Sequence, residues 1–293
     1  MANIELLKKL RDLTQAGVLD AKKALDENHD DLEASIQWLR EKGIAKAAKK
    51  AGAIATEGVT KVYISGDSAV IFELNCETDF VGTNSAFVDL ANDIGLTLLK
   101  GGINDYDSAL NNLKLSSGMS IDLACKTLTG KIGEKILLRR FQFITKKPEE
   151  MFSSYEHSNH RIAVLLTIDK NIDQIVAKDI AMHAAAMAPT FMNPNQVDKD
   201  WLANETKILR EQAIAEGKPI EKAEMIIRGR INKLLGEVVL ESQPFVKNPK
   251  VSIKDHLSSA NGTLLKYIRF QVGEGIEKKV VDFAAEVASQ IKK

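Results

Sequence analysis

The sequence predicts a protein of the α+β class, in which helices and antiparallel strands occupy separate parts of the chain. The first fifty residues show only helical periodicity, and the strand-like runs that follow come in adjacent pairs, each pair followed by a helix. A length of 293 residues is enough for about two domains with full cores. Regular alternation of strand and helix, which would indicate a doubly wound parallel sheet, is not seen.

Residues 1–54 are predicted to form a compact three-helix domain. Leucine and isoleucine recur at helical spacing in the first helix, which ends near Gly17, and the second helix spans about 19–27. Asp30 is the predicted N-cap of the third helix, with Glu33 placed to form a capping box. Because so few residues bury only a small core, we expect this domain to dock on another surface.

The strand pairs predict two α+β core subdomains, one over residues 55–145 and one over 146–192 together with 236–275. β-branched and aromatic residues mark the strands, and the same order of strand, strand and helix in both parts indicates an internal duplication. The predicted elements are strands over 59–64, 69–74, 136–144, 162–168 and 264–272, and helices over 85–99, 121–128 and 172–187.

An inserted helical hairpin is predicted over residues 193–235. Apolar residues recur at near-helical spacing on both sides of a break at Gly217-Lys218-Pro219, so the two arms are expected to form an antiparallel coiled coil. The predicted stripe residues are Trp201, Ile208, Leu209 and Ile214 in the first arm and Ile220, Ala223, Ile226, Ile227, Ile231 and Leu234 in the second. Three roles stay open for this hairpin: pairing with a copy of itself in a homodimer, bracing a partner, or standing in solvent.

Composition and charge argue against several classes of protein. The formal net charge is zero, so no global field attracts the chain to nucleic acid or anionic lipid. No apolar run approaches the roughly 18 residues of a membrane span, and the first residues lack a signal-peptide pattern, so we expect a cytoplasmic protein without membrane contact. Cys76 and Cys125 lack partner-like spacing, which indicates free thiols.

The sequence holds no complete motif for covalent or cofactor chemistry. Gly130-Lys131 lacks the first glycine and the final hydroxyl residue of a phosphate loop. His157 and His160 lie three residues apart with no third ligand nearby, so we expect turn histidines or a partner contact by His157 rather than a metal site. His183, on an apolar helix face, is expected to be a core residue bonded to a backbone carbonyl. Binding without a metal or cofactor is therefore the expected activity.

The most informative stretch is residues 74–81, LNCETDFV, where an apolar strand turns into a helix. Asp79 favours water or a cation, whereas the neighbouring ring of Phe80 favours burial. In one interpretation Thr78 or Asp79 caps the following helix and Phe80 packs beneath it as a hydrophobic staple. In the other, the pair is inserted into a partner protein. Local physical chemistry leaves both open.

Matching segments, spread in one order over nearly the whole chain, resemble the translation elongation factor Ts family. The segments are residues 10–25 (LRDLTQAGVLDAKKAL), 38–43 (WLREKG), 75–81 (NCETDFV), 132–134 (IGE), 179–185 (DIAMHAA), 236–238 (GEV), 243–246 (QPFV) and 269–275 (RFQVGEG). Members of this family exchange the nucleotide of the GTPase elongation factor Tu. The resemblance also implies that the first domain is ubiquitin-associated-like and that residues 276–293 form a C-terminal helical module.

The resemblance implies which residues contact the GTPase. The segment expected near its magnesium site, where Phe80 would wedge between helices and weaken the Mg²⁺ and phosphate contacts, consists of Thr78, Asp79, Phe80, Val81 and Gly82. The further contacts implied are Leu13, Gly17, Ile132, Gly133 and His157. The chain departs from the family pattern at Gln15 (usually glycine), Val18-Leu19 (a methionine pair), Gly82-Thr83-Asn84 (Ala-Arg-Asn) and Lys135 (asparagine).

Two other functions stay open on the sequence. A scaffold protein would use the helical hairpin for assembly and would bind its partner whether or not GDP is present. An RNA-binding protein would use the basic run of Arg40, Lys42, Lys46, Lys49 and Lys50. Zero net charge and the lack of stacking aromatic residues near this run disfavour direct contact with nucleic acid.

Overall fold

The computed structural model of the protein describes residues 4–14, 16–169, 171–216 and 220–277, with the side chains of 220–223 excepted. Within these residues the helices are α1 (Ile4–Thr14), α2 (Val18–Glu27), α3 (Leu32–Lys49), α4 (Asp79–Gly82), α5 (Ser85–Gly101), α6 (Tyr106–Asn112), α7 (Ile121–Ile132), α8 (Gln174–Met187), α9 (Lys199–Ala215), α10 (Ile220–Val238) and α11 (Ile253–Ser259). The strands are β1 (Glu57–Ser65), β2 (Ser68–Cys76), β3 (Leu137–Thr145), β4 (Glu150–Glu156), β5 (Ile162–Asp169), β6 (Pro244–Phe245), β7 (Asn248–Ser252) and β8 (Leu264–Gln271).

The described strands form two three-stranded sheets and one two-stranded sheet. The strand orders are β1-β2-β3, β4-β5-β8 and β6-β7. In both larger sheets two strands that are consecutive in sequence pair, and a third strand returns after intervening helices to lie beside the second. The α+β class is therefore confirmed, and the repeated order agrees with an internal duplication. No helix in the described part of the chain is both long and apolar enough to cross a membrane.

The chain divides into two compact units built from interleaved segments. The first contains the described residues of Met1–Val59, Glu73–Phe141 and Gln271–Lys293, and the second contains those of Thr60–Phe72 and Gln142–Phe270. The five domains expected from the sequence remain a prediction. Gln15, the break at Gly217-Lys218-Pro219 and the C-terminal module beyond residue 277 lie outside the described residues.

In the first unit, α1, α2 and α3 form a three-helix domain around a small core. Its fully buried residues are Leu10, Ala21, Ala24 and Leu25. The predicted capping box of Asp30 and Glu33 is wrong. His29 and Asp30 both adopt positive φ in the preceding turn, so the N-cap moves on to Asp31, whose side chain accepts a hydrogen bond from the Ala34 N–H at 2.9 Å.

In the second unit, α8 packs on β4 and β5, which pair antiparallel with Ser153 opposite Leu166. Strand β4 was not predicted, because its central serines do not give a strand-like pattern. Helices α6 and α11 and the short β6-β7 hairpin were not predicted either. His183 is confirmed as a core residue, but its bonds differ from the prediction. Its Nδ1 accepts from the Val246 N–H at 3.2 Å, and its Nε2 lies 3.0 Å from Oε1 of Gln243.

Helices α9 and α10 form the predicted hairpin, packed through Leu209, Ala213, Ile227 and Ile231. Ion pairs between the arms join Arg210 to Glu224 and Glu216 to Arg230. Part of the predicted apolar stripe is wrong. Trp201, Ile208 and Ile214 are 37%, 39% and 58% exposed, because the packed face follows Leu202, Thr206, Leu209 and Ala213 instead.

Candidate functional site

The corner after β2 holds Phe80 out in solvent. Strand β2 ends at Cys76, the one-turn helix α4 follows, and α5 begins after Asn84, whose side chain caps it by accepting from the Ala86 N–H at 3.0 Å. Phe80 is 84% exposed, and Asp79 is exposed beside it. The hydrophobic-staple interpretation is therefore wrong, because Asn84 rather than Thr78 or Asp79 caps α5 and the ring packs under no helix.

The corner is anchored by a carboxylate from the loop after α7. Both oxygens of Glu134 are used by Thr78: Oε2 accepts from its backbone N–H at 2.9 Å, and Oε1 accepts from its hydroxyl at 2.7 Å. Thr78 is the N-cap of α4, yet its side chain makes no capping bond to that helix. The start of α4 is thus held from outside, by charge-assisted hydrogen bonds that are stronger than neutral ones.

A second ionic cluster lies directly before the corner. Oε1 of Glu77 accepts from the backbone N–H of Lys135 at 2.6 Å and pairs with Nζ of Lys50 at 3.1 Å. The Lys135 ammonium in turn donates to the carbonyls of Ala51 at 2.6 Å and Ala53 at 3.0 Å. These bonds join the end of α3, the corner and the loop after α7 at one place in the first unit.

The far side of α4 is anchored by burial. Val81 is 7% exposed, and a Cβ at the buried Gly82 would meet Gly58 at 3.7 Å and the sulfur of Cys76 at 3.8 Å. Gly58 has φ of +133°, and a Cβ there would lie 2.0 Å from the carbonyl oxygen of Leu74, so this position requires glycine. Asp79 and Phe80 therefore lie between two fixed points.

Ile132 and Gly133 lie beside this corner through their neighbour Glu134. Gly133 ends α7 with a φ of +88°, and its N–H donates to the Thr129 carbonyl at 2.8 Å. This left-handed turn directs the chain toward Glu134. Through the bonds of Glu134 to Thr78, the structure thus places Ile132 and Gly133 close to the segment 78–82 in the first unit.

Leu13 and Gly17 lie at the junction of α1 and α2. Leu13 is 60% exposed, and Gly17 precedes α2, whose first residues Val18 and Leu19 are also exposed. Leu13, Val18 and Leu19 are thus exposed apolar side chains that flank Gly17 in sequence. A cleft of about 440 Å³ opens beside this junction, lined in part by Gly17, Arg40, Gly130 and Lys131.

His157 belongs to the second unit, in the tight turn between β4 and β5. Its backbone N–H donates to the Ile162 carbonyl at 2.9 Å, and the ring atom Nδ1 lies 3.0 Å from Oδ1 of Asn159. Because that oxygen can only accept and also accepts from the Arg161 N–H, Nδ1 of His157 is the donor in this contact. The predicted turn placement is confirmed, and His157 is half-buried rather than fully solvated.

The described residues offer little for covalent or metal chemistry. Among them, no group of three histidine, cysteine, aspartate or glutamate side chains is placed to hold a metal ion. Cys76 and Cys125 are buried free thiols, as predicted, and burial raises the pKa of Cys125 to about 12. A thiol with that pKa is not a nucleophile near neutral pH.

Glu77 and Glu134 were not predicted as supporting residues of the corner. Each lies inside or directly beside a segment that resembles the family, 75–81 and 132–134, and that position was the available signal. Neither the pairing of Glu77 with Lys135 nor that of Glu134 with Thr78 could be read from the sequence, since 58 and 56 residues separate the partners.

Comparison with known proteins gives a consistent result over the whole length. Residues 77–274 match the family model described as Elongation factor TS. The chain is 47% identical over 290 residues to elongation factor Ts of Malacoplasma penetrans (strain HF-2), with 98% of each chain covered. It is 45% identical over 292 residues to elongation factor Ts of Acholeplasma laidlawii (strain PG-8A), again with 98% of each covered. The chain therefore belongs to the elongation factor Ts family of translation elongation factors.

Proposed function

We propose that this chain is a guanine-nucleotide exchange factor that binds elongation factor Tu in its GDP form, in the cytoplasm, and accelerates release of GDP so that GTP can bind. The observation that carries the proposal is the exposure of Phe80. Its side chain is 84% exposed, although the corner that carries it is anchored on both sides. An aromatic ring presented in this way is typical of an interaction surface. The activity makes and breaks no covalent bond.

In the proposed mechanism, the exchange factor displaces the groups of the GTPase that hold GDP. A GTPase holds GDP largely through Mg²⁺ and through backbone amides around the phosphates. If Asp79 and Phe80 enter near the magnesium site and move those elements, binding of the factor and binding of GDP oppose each other. By linkage, each then weakens the other by the same factor.

Phe80 alone supplies only part of the coupling. Burial of a phenyl side chain contributes roughly 1.5–3 kcal/mol, which corresponds to roughly ten- to a hundredfold in affinity. Thr78, Val81 and Gly82 complete the proposed contact segment, and because Val81 and Gly82 are buried in the free chain, their proposed role is to hold Asp79 and Phe80 in place. The junction at Leu13 and Gly17, the loop at Ile132 and Gly133, and His157 are proposed to supply the rest of the binding free energy.

The basic run of α3 gives little support for an RNA-binding function. Lys42 and Lys46 both pair with Asp20, at 2.6 and 2.9 Å, and Lys50 pairs with Glu77. The two lysines lower the pKa of Asp20 through their hydrogen bonds. Three of the charges that would meet phosphates are thus already engaged within the first unit.

The deciding experiment is release of a fluorescent GDP analogue from elongation factor Tu, followed by stopped flow with and without this chain. Acceleration by orders of magnitude at substoichiometric amounts of the chain is the expected result. Unchanged release would overturn the proposal. Binding that is equally tight with and without GDP would instead favour the scaffold function, because linkage requires that an exchange factor bind less tightly when GDP is present.

A further inference from the structure

We propose that Glu134 is a positioning residue for exchange, which holds the corner so that Phe80 is presented in one orientation. The inference rests on the proposed function and extends it to a residue outside the wedge. Glu134 itself does not need to touch the partner. Its two carboxylate oxygens are both bound by Thr78, the residue immediately before Asp79 and Phe80.

The helix that carries the wedge residues cannot hold its own shape. Helix α4 has four residues, and one isolated turn is unfavourable because several backbone angles are fixed for a single hydrogen bond. The ring of Phe80 adds nothing to its stability, because the ring is in solvent. The side chain of Thr78 would normally cap such a turn, but it is directed to Glu134 instead.

Two anchors compensate for this weakness, and they differ in kind. At the end of α4, the nearly buried Val81 and a hydrogen bond from the Thr83 hydroxyl to the Phe80 carbonyl at 3.0 Å fix the chain. At its start, Glu134 fixes the N–H and the side chain of Thr78, while the Cys76 thiol donates to the Thr78 carbonyl at 3.1 Å and Glu77 is held by Lys135. Removing the carboxylate frees the N–H and the side chain of Thr78 and leaves the start of α4 held more weakly, so Asp79 and Phe80 sample more orientations.

The support of Glu134 is rigid because it follows directly on α7. Gly133 closes that helix, and the buried Thr129 hydroxyl accepts from the Ile136 N–H at 2.9 Å just beyond the loop. A fixed support of this kind reduces the conformational entropy that the corner loses when the ring of Phe80 is inserted into the partner. Loss of Glu134 should therefore slow the insertion step, while the encounter of the two proteins through other surfaces is preserved.

A matched control exists in the same unit. Asp93 of α5 uses its carboxylate in the same way, accepting from the Ser116 backbone N–H at 3.1 Å and from the Ser116 hydroxyl at 2.6 Å. Asp93→Asn and Glu134→Gln therefore make the same chemical change at similar contacts, since each removes the negative charge and replaces one acceptor oxygen by an NH2 group. The two variants differ in the residue that the carboxylate holds. Glu134 holds Thr78, which directly precedes Asp79 and Phe80, whereas Asp93 holds Ser116, which is far from them in sequence.

The experiment compares full-length wild type, Glu134→Gln and Asp93→Asn by two readouts. Hydrogen exchange of the peptide covering residues 77–84, followed by mass spectrometry, reports order at the corner without any partner. Stopped-flow release of fluorescent GDP, over a range of factor concentrations, separates the maximal rate from the half-saturating concentration. Glu134→Gln should raise amide exchange in 77–84 about tenfold and lower the maximal rate about tenfold, with little change in half-saturation. Asp93→Asn should change neither.

Thr78→Val, combined with Glu134→Gln, tests whether the two residues act as one. The double variant should release GDP no more slowly than the slower single variant. Unchanged amide exchange in 77–84, or a maximal rate equal to that of Asp93→Asn, would overturn the assignment of Glu134. A wild-type chain that leaves GDP release unchanged would overturn the proposed function, and the amide exchange alone would then decide whether Glu134 orders the corner.

Discussion

Gly43 of α3 and Gly130 of α7 pass each other with no side chain between them, but the contact is not symmetric. A Cβ at Gly130 would lie 2.4 Å from the Cα of Gly43 and 2.7 Å from its carbonyl oxygen, whereas a Cβ at Gly43 would come no nearer than 4.0 Å to Gly130. The three-helix domain and the helix that leads to Glu134 are thus joined at a point where only one of two glycines is required.

Gly130→Ala should destabilise the protein, while Gly43→Ala should not. The alanine at 130 must push two helix backbones apart, and overpacking of this kind costs about 1–3 kcal/mol. At position 43 there is space, and replacing glycine by alanine inside a helix gains up to about 1 kcal/mol. Urea unfolding of both variants measures the difference. Equal losses at the two positions would contradict the asymmetric contact.

Phe80→Ala should slow GDP release from elongation factor Tu by roughly ten- to a hundredfold, the equivalent of the lost burial of a phenyl ring. The free energy of unfolding should stay within about 0.5 kcal/mol of wild type, because the ring is already in solvent. Leu96→Ala, at a 46% exposed leucine of α5, is the control for loss of an exposed apolar side chain. Release at the wild-type rate by Phe80→Ala would rule out the wedge.

The elements with strong periodicity were predictable from sequence, and those shaped by distant contacts were not. Helices α1, α5 and α8 and strands β2 and β5 lie close to their predicted ranges, because buried apolar faces fix both their type and their length. Strand β4 has no such pattern. Strand β4 forms because β5 pairs with it along its full length. The local sequence, with its methionine and two serines, does not indicate this pairing.

The candidate residues Asp79 and Phe80 could be found from sequence, but their exposure could not. The staple interpretation needed Thr78 or Asp79 to cap the helix after the corner, with Phe80 buried beneath it. The outcome is decided by Asn84, whose side chain reaches the Ala86 N–H, and by Glu134, which withdraws the hydroxyl of Thr78. The second of these is a contact over 56 residues of sequence, so no local pattern could have indicated it.

The two glycines beneath the corner should respond in opposite ways to alanine. Gly58 has φ of +133° and no room for a Cβ, so Gly58→Ala should cost more than about 2 kcal/mol of unfolding free energy. Gly82 has only ordinary contacts near 3.7 Å and lies in a helical turn, so Gly82→Ala should be neutral or gain up to about 1 kcal/mol. Thermal unfolding followed by circular dichroism checks both. A large loss of unfolding free energy in Gly82→Ala would contradict the space of 3.7 Å between a Cβ at this position and Gly58.

The last prediction concerns pH and the core histidine of the second unit. Burial lowers the pKa of His183, and its hydrogen bond to Gln243 opposes that shift only in part. The neutral ring suits the site, because Nδ1 must accept from the Val246 N–H and a protonated nitrogen cannot accept.

As pH falls through about 6.5, the ordinary pKa of histidine, the unfolded chain takes up a proton at this residue that the folded chain does not. The folded state therefore loses stability as pH falls, until the pH drops below the lowered folded-state pKa. His183→Asn removes this titration, so its unfolding free energy should depend less steeply on pH between about 6.5 and 5 than that of wild type. Urea unfolding at a series of pH values measures both slopes. Identical slopes would mean that protonation of His183 is not linked to unfolding.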